Sequence, residues 1–236
     1  MSAPPSALLL DLDGTLIDSE MVHAAGLARF CRDRGVVLTQ AEALFVIGHG
    51  WHEIYSELRL GERLGVDVHA VITGTVAAKE VLFGEGLMLP VLPGAREIFA
   101  LARAAAIPVA IVTGSARVEL EHALPTLGLL TRDLAACVCA EDVTRGKPHP
   151  EGYLQAARRL EVAPERCLVI EDSAAGIAAA VAAGMRVVAS AAGNPPPGAS
   201  GHQDQSRAHL QIASLVGLTL TDLAAMMTAT TTEPHR

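Results

Sequence analysis

Apolar and polar positions along the chain follow two regimes. Residues 7–10, "ALLL", form an unbroken apolar run that stops at Asp11. A run this short, without polar alternation, reads as a strand buried on both faces. Residues 19–85 behave differently. Apolar positions recur there at helical spacing, in "MVHAAGLARFCRDRG" and "WHEIYSELRLGERLG", with no strand pattern of comparable strength. From "LPGAREIFALARAAAI" onward, short apolar runs and helical stretches take turns. "PVAIVTG", "LAACVCAED", "CLVIEDS" and "MRVVAS" read as strands. The helices between them are "ARVELEHALPTLG", with Pro125 as a kink or stop, "HPEGYLQAARRL", with its proline in the first turn, and "AAGIAAAVAAG", ended by Gly184.

This alternation predicts βαβ units and a parallel sheet. The fold class expected is α/β: a doubly wound, Rossmann-like parallel-sheet core with an inserted α-helical cap domain. Residues 1–18 and 86–236 make the expected core, and residues 19–85 the cap. "AAGNPPPGASGHQDQ" reads as a surface loop, "LQIASLVGLTLTDLAAMM" as an edge strand and last helix, and "TATTTEPHR" as a frayed tail.

Half of the 236 residues are hydrophobic but only 3% are aromatic, so Ala, Val and Leu must do the packing. A net charge of −8 repels nucleic acid and anionic lipid, and neither is expected as a partner. No apolar run reaches the ~20 residues that span a bilayer. The opening "MSAPPSA" lacks the basic region of a secretory signal, so a cytoplasmic location is expected. Cys31, Cys137, Cys139 and Cys167 lack the spacing of a zinc or redox site and read as reduced, packed thiols.

The candidate chemistry lies at the strand ends. The first strand runs into Asp11 and Asp13, the second into Thr113, Gly114 and Ser115, and the third into the loop that carries Lys147. The fourth ends in Glu171 and Asp172. Ligands of open parallel sheets bind beyond the carboxyl ends of the strands, so these four clusters converge in one cleft. Asp11, Asp13 and Asp172 offer hard oxygen ligands suited to Mg²⁺. Thr113 and the turn after it suit an anion, and Lys147 adds a fixed positive charge. Together they provide what phosphoryl transfer needs. Each motif alone has an ordinary explanation. Asp-x-Asp also occurs in glycosyltransferases, Asp before Gly-Thr makes turns, and an acidic pair before a helix makes a cap. Their joint occurrence, in order, is what points to chemistry.

The order DLDGT (11–15), VTGS (112–115), GKPHP (146–150) and VIEDSAAG (169–176) resembles the haloacid dehalogenase (HAD) superfamily of Asp-nucleophile phosphotransferases. The insertion after the first motif resembles the four-helix cap of the subgroup that holds β-phosphoglucomutase and the glycerol-phosphate and sugar-phosphate phosphatases. The resemblance implies that Asp11 is the nucleophile and Asp13 the general acid and base. It implies that Thr113, the Gly114 amide and Lys147 hold the phosphoryl group. It further implies Mg²⁺ held by Asp11, the Asp13 carbonyl and Asp172, with Glu171 beside it.

Where the mutase carries a cap arginine for a second phosphate, this chain has Gly50-Trp51. His23, His49 and Trp51 of the cap, and Ser115 and Arg117 after the phosphate turn, are candidate substrate contacts. For His23 a partly exposed helix position, and for His49 and Trp51 plain packing, are equal alternatives. The reading that follows is a Mg²⁺-dependent phosphatase for a small phosphorylated polyol or sugar, acting as a monomer or weak homodimer. A phosphomutase of the same fold is the first alternative. A non-catalytic phosphate-binding regulatory protein is the second.

Overall fold

The computed structural model describes residues 3–47, 49–199 and 201–228. The chain begins with β1 (Ala7–Leu10). Five helical segments follow: α1 (Glu20–Arg32), α2 (Gln40–Phe45), α3 (Trp51–Glu57), α4 (Leu60–Leu64) and α5 (Val68–Gly84). The rest alternates through α6 (Ala95–Ala104), β2 (Val109–Val112), α7 (Arg117–Thr126), β3 (Ala136–Val138), α8 (Glu151–Leu160), β4 (Cys167–Glu171), α9 (Ala174–Ala182) and β5 (Arg186–Ser190). It closes with β6 (Leu210–Ile212) and α10 (Leu220–Met226).

These elements form two compact units. One comprises residues 1–18, 90–194 and 203–236, and the other residues 19–89 and 195–202.

The first unit is built on one six-stranded sheet in the order β3-β2-β1-β4-β5-β6, parallel throughout. This is the α/β, doubly wound arrangement that the alternating pattern predicts. Every residue of β1, β2 and β4 is buried, because helices cover both faces of a parallel sheet. Each fully buried leucine of β1 contributes about 2 kcal/mol relative to an exposed one. One face packs Leu9, Val112 and Val169 against Tyr153 and Ala156 of α8 and Ile177 and Ala180 of α9. The alanines keep those helices close to the sheet.

Register positions the site. Leu10 is paired with Ile111 on one side and Ile170 on the other, so the chain leaves all three strands at one level. After β3 the chain crosses β1 and lays β4 on its far side. That reversal opens the crevice at the carboxyl ends of β1 and β4 where such sheets bind ligands.

The second unit has its own core, made by Leu27, Phe30 and Cys31 of α1, Ile54 of α3, Leu60 of α4, and Val71 and Ala78 of α5. Five helical segments stand where a four-helix cap was expected. The stretch "WHEIYSELRLGERLG" breaks at Arg59, whose φ of 51° is left-handed and separates α3 from α4. The unit also takes in residues 86–89 and 195–202, beyond the boundaries expected from the sequence.

All four cysteines are free thiols, and burial pushes Cys139 up to about 12. No described helix is long and apolar enough to cross a membrane. Gly48, and the tail beyond Thr228 that reads as frayed, lie outside the described residues.

Candidate active site

At the mouth of β1 and β4, Asp11, Glu171 and Asp172 bring carboxylate oxygens within 4.8 Å of one another. Lys147 reaches this cluster from the loop between β3 and α8. Its Nζ donates to Asp11 Oδ1 at 2.5 Å and to Glu171 Oε1 at 2.5 Å. The ammonium also lies 5.3 Å from the centre of the Tyr153 ring. Thr15 Oγ1 donates to Asp172 Oδ1 at 3.1 Å.

Two glycines make room for these acids. Gly14 turns the chain back with φ +77°, and a Cβ there would meet Asp172 Oδ2 at 2.2 Å. A Cβ on Gly176 would meet Glu171 Oε1 at 1.5 Å.

The acids differ in what already occupies them. Glu171 is wholly buried. Its Oε1 accepts from Lys147 and, at 3.2 Å, from the Tyr153 hydroxyl. Its Oε2 accepts from the amides of Asp172 and Ser173 and from Ser173 Oγ. Five donors exceed the roughly four lone-pair directions of a carboxylate. Glu171 therefore stands beside the cluster as an anchor for Lys147 and for the start of α9, with little capacity left for an ion. Asp11 and Asp172 carry lighter loads.

Asp13 lies two residues past Asp11, and its Oδ2 accepts from Ser115 Oγ at 2.6 Å and Thr113 Oγ1 at 3.2 Å.

Charge decides what the cluster can hold. Three carboxylates face one ammonium. Burial pushes Asp11 well above the usual carboxylate range; Lys147 opposes this, while Glu171 and Asp172 add to it. Burial and then Glu171 push Asp172 up to about 8. Burial alone would lower Lys147, but Asp11 and Glu171 outweigh it and hold the ammonium charged. The uncompensated charge, and the hard oxygens of Asp11 and Asp172, fit a small divalent cation.

Other residues singled out in the sequence fall elsewhere. Gly114 follows Thr113 at the end of β2, with open space where a Cβ would be. Arg117 is not brought to the cluster. Its guanidinium donates to Cys137 Sγ at 3.3 Å and pairs with Asp142, which ties α7 to the segment after β3. His23, His49 and Trp51 belong to the helical unit. His49 Nδ1 donates to Phe45 O at 2.6 Å and the ring stacks on Phe45, so this histidine closes the end of α2. His23 meets the Trp51 ring edge-on at 6.5 Å between centroids, and its Nδ1 lies 3.0 Å from Lys79 Nζ.

Three residues have no motif to announce them: Tyr153, the buried Lys79, and Gln205. Gln205 Nε2 donates to the carbonyls of Asp172 and Ser190, both at 2.8 Å. Tyr153 alone had a sequence signal, as a polar aromatic on the buried face of α8.

A doubly wound sheet that gathers acids, a lysine and a threonine at its strand ends defines a hydrolase of the HAD class. The chain belongs to the haloacid dehalogenase-like hydrolase family, which matches residues 5–184. It is 36% identical over 177 residues to validoxylamine A 7'-phosphate phosphatase of Streptomyces hygroscopicus subsp. limoneus, covering 75% of this chain and 81% of that protein. It is also 36% identical over 183 residues to hexitol phosphatase A of Escherichia coli K12, covering 77% and 81%. Among solved structures, a mutant of CbbY from Rhodobacter sphaeroides in complex with xylulose-(1,5)bisphosphate superposes with a TM-score of 0.75 at 25% identity, covering 93% of this chain and 99% of that one.

Two outcomes follow from this geometry. Gly176→Ala should force Glu171 off the start of α9 and destabilise the protein by about 1–3 kcal/mol in urea denaturation, the usual range for overpacking. Activity should fall with it, because Lys147 loses its anchor. Unchanged stability and activity would contradict the packing described.

The second outcome concerns pH. Asp172 is raised from 3.8 to about 8, so its proton favours the folded state. That stability is full below about pH 4 and is lost as pH rises through about 8. A cation that takes the proton's place should therefore raise Tm more at pH 9 than at pH 5. Calorimetry with and without millimolar Mg²⁺ measures this, and a pH-independent shift would count against the site.

Proposed function

We propose that this hydrolase is a Mg²⁺-dependent phosphatase. It removes the phosphoryl group from a small phosphorylated polyol or sugar, through an aspartyl phosphate on Asp11. The observation that carries the reading is the contrast between two acids two residues apart. Asp11 is paired with Lys147, and Asp13 is held by hydroxyls. Paired carboxylates in unlike environments are what a nucleophile and a separate acid and base require.

In the proposed reaction Asp11 attacks phosphorus while Lys147 screens the repulsion between a carboxylate and a phosphate dianion. Asp13 gives its proton to the leaving oxygen, then takes one from the water that hydrolyses the aspartyl phosphate. Thr113, the Gly114 amide and Lys147 hold the phosphoryl oxygens. Asp11, the Asp13 carbonyl and Asp172 would hold Mg²⁺, which when bound supplies the positive charge that Lys147 alone does not. A pure phosphate-binding protein would need Lys147 and Thr113 but has no use for the second acid.

The phosphatases among its relatives act on a hexitol phosphate and on validoxylamine A 7'-phosphate, as their names state, and this supports a polyhydroxylated leaving group. A second reading has one specific observation in its favour. The helical unit buries a cation after all, Lys79 beside His23, although Gly50-Trp51 stand where the mutase has its arginine. A substrate with a second anionic group, or a mutase, would use such a cation.

Asp11→Asn should fold normally by circular dichroism and show no turnover. Asp13→Asn should lose about 10²- to 10⁴-fold, the range for general acid–base catalysis. More than a few per cent of wild-type activity in Asp11→Asn would rule out the covalent route.

The substrate class can be tested by phosphate release from polyol and sugar monophosphates and from sugar bisphosphates, in Mg²⁺ and in EDTA. Monophosphates should be hydrolysed without a bisphosphate activator, and EDTA should abolish turnover. Trp51→Ala should cost about 10-fold on the preferred substrate, the loss of one good contact, and much less on p-nitrophenyl phosphate. Interconversion of two sugar phosphates faster than phosphate release would establish the mutase instead.

A further inference from the structure

We infer that Ser115 is a positioning residue for the general acid: its hydroxyl holds the Asp13 carboxyl in place from the turn after β2. The inference rests on the phosphatase reading above.

The clamp is built from the turn after β2. Ser115 Oγ donates to Asp13 Oδ2 at 2.6 Å, and Thr113 Oγ1 donates to the same oxygen at 3.2 Å. Thr113 Oγ1 also accepts the Ser115 amide at 2.9 Å, which fixes the turn that carries Ser115. Ser115 is itself held from behind, because its carbonyl accepts the Ala140 amide at 3.0 Å. Ser115 is thus fixed by its own backbone while its hydroxyl holds Asp13.

This matters at one step of the reaction. Asp11 forms a bond to phosphorus, and the bond from phosphorus to the leaving oxygen breaks with its electron pair on that oxygen. The oxygen takes the proton from Asp13 and departs as an alcohol, and Asp13 is left as a carboxylate. Ser115 Oγ remains on Oδ2 and stabilises the charge that develops there, while the Thr113 hydroxyl serves the phosphoryl group. The help of Ser115 counts most when the leaving group is a poor one, such as an alkoxide, and least for p-nitrophenolate, which departs without a proton.

The test is kcat/KM over a series of phosphomonoesters, from alkyl phosphates to p-nitrophenyl phosphate, for wild type, Ser115→Ala, Ser115→Thr and Asp13→Asn. Ser115→Ala should lose about 10- to 100-fold on alkyl phosphates, the worth of one hydrogen bond to a charged group, and less than about 3-fold on p-nitrophenyl phosphate. Ser115→Thr should restore most of the alkyl activity. An equal loss across the series, with or without a lowered Tm, would make Ser115 a phosphate contact or a packing residue and overturn the inference. Asp13→Asn reports separately on the underlying reading. If its losses do not grow with leaving-group basicity, Asp13 is not the acid, and the inference falls with it.

Discussion

Three carboxylates held within 4.8 Å of one another, inside protein, repel strongly, because the medium around them screens so little. Nearly every feature of the core unit can be read as a response to that repulsion. Lys147 bridges Asp11 and Glu171. The amides of Asp172 and Ser173, just before α9, donate to Glu171. Gly14 and Gly176 lack the one carbon that would occupy the carboxylates' space. The parallel sheet delivers all of this by register alone, because Leu10, Ile111 and Ile170 lie side by side one step before the chain turns out.

The same residue type is given different tasks by its surroundings. Glu171 is saturated with donors and serves to hold Lys147. Asp172 has one hydroxyl on it, and burial raises it to about 8. Asp11 shares the ammonium with Glu171. Asp13 meets the hydroxyls of Thr113 and Ser115. Lys147 thus serves two of these acids at once.

The sheet and the four strand ends were legible in the sequence because buried parallel strands are short apolar runs, and a polar residue that stops such a run is conspicuous. Asp11, Thr113 and Asp172 announce themselves this way. Other parts were not legible. Glu171 and Asp172 look alike on paper, and only the contacts with Tyr153 and the amides of Asp172 and Ser173 mark Glu171 as the saturated one. Ser115 and Arg117 both follow the turn after β2, yet Ser115 turns to Asp13 and Arg117 to Asp142. Lys79 sits in a helix where one cation reads as a surface residue. Its burial depends on the packing of α1 against α5, which no local pattern encodes.

The segment after β5 shows how far support for the acids extends. By composition it is a loop rich in Pro, Gly and Ser, and nothing in it suggests a structural duty. Yet Gln205 is buried, and its amide joins the Asp172 carbonyl to that of Ser190. Asn194 and Gln203 exchange hydrogen bonds at 2.9 and 2.8 Å, and Gln203 Oε1 also accepts the Ala174 amide at the first turn of α9. Gly193 lies so close to Gly14 that a Cβ would meet the Gly14 carbonyl at 2.5 Å. Both ends of the loop are thus tied to the backbone on either side of the acid cluster. A side chain such as Asp172 can hold its direction only if its own main chain is fixed. The carbonyl of Asp172 lies past the end of β4, where the sheet no longer supplies a partner. Gln205 supplies that partner, and so a glutamine distant in sequence from every recognised motif becomes part of what aims the carboxylate.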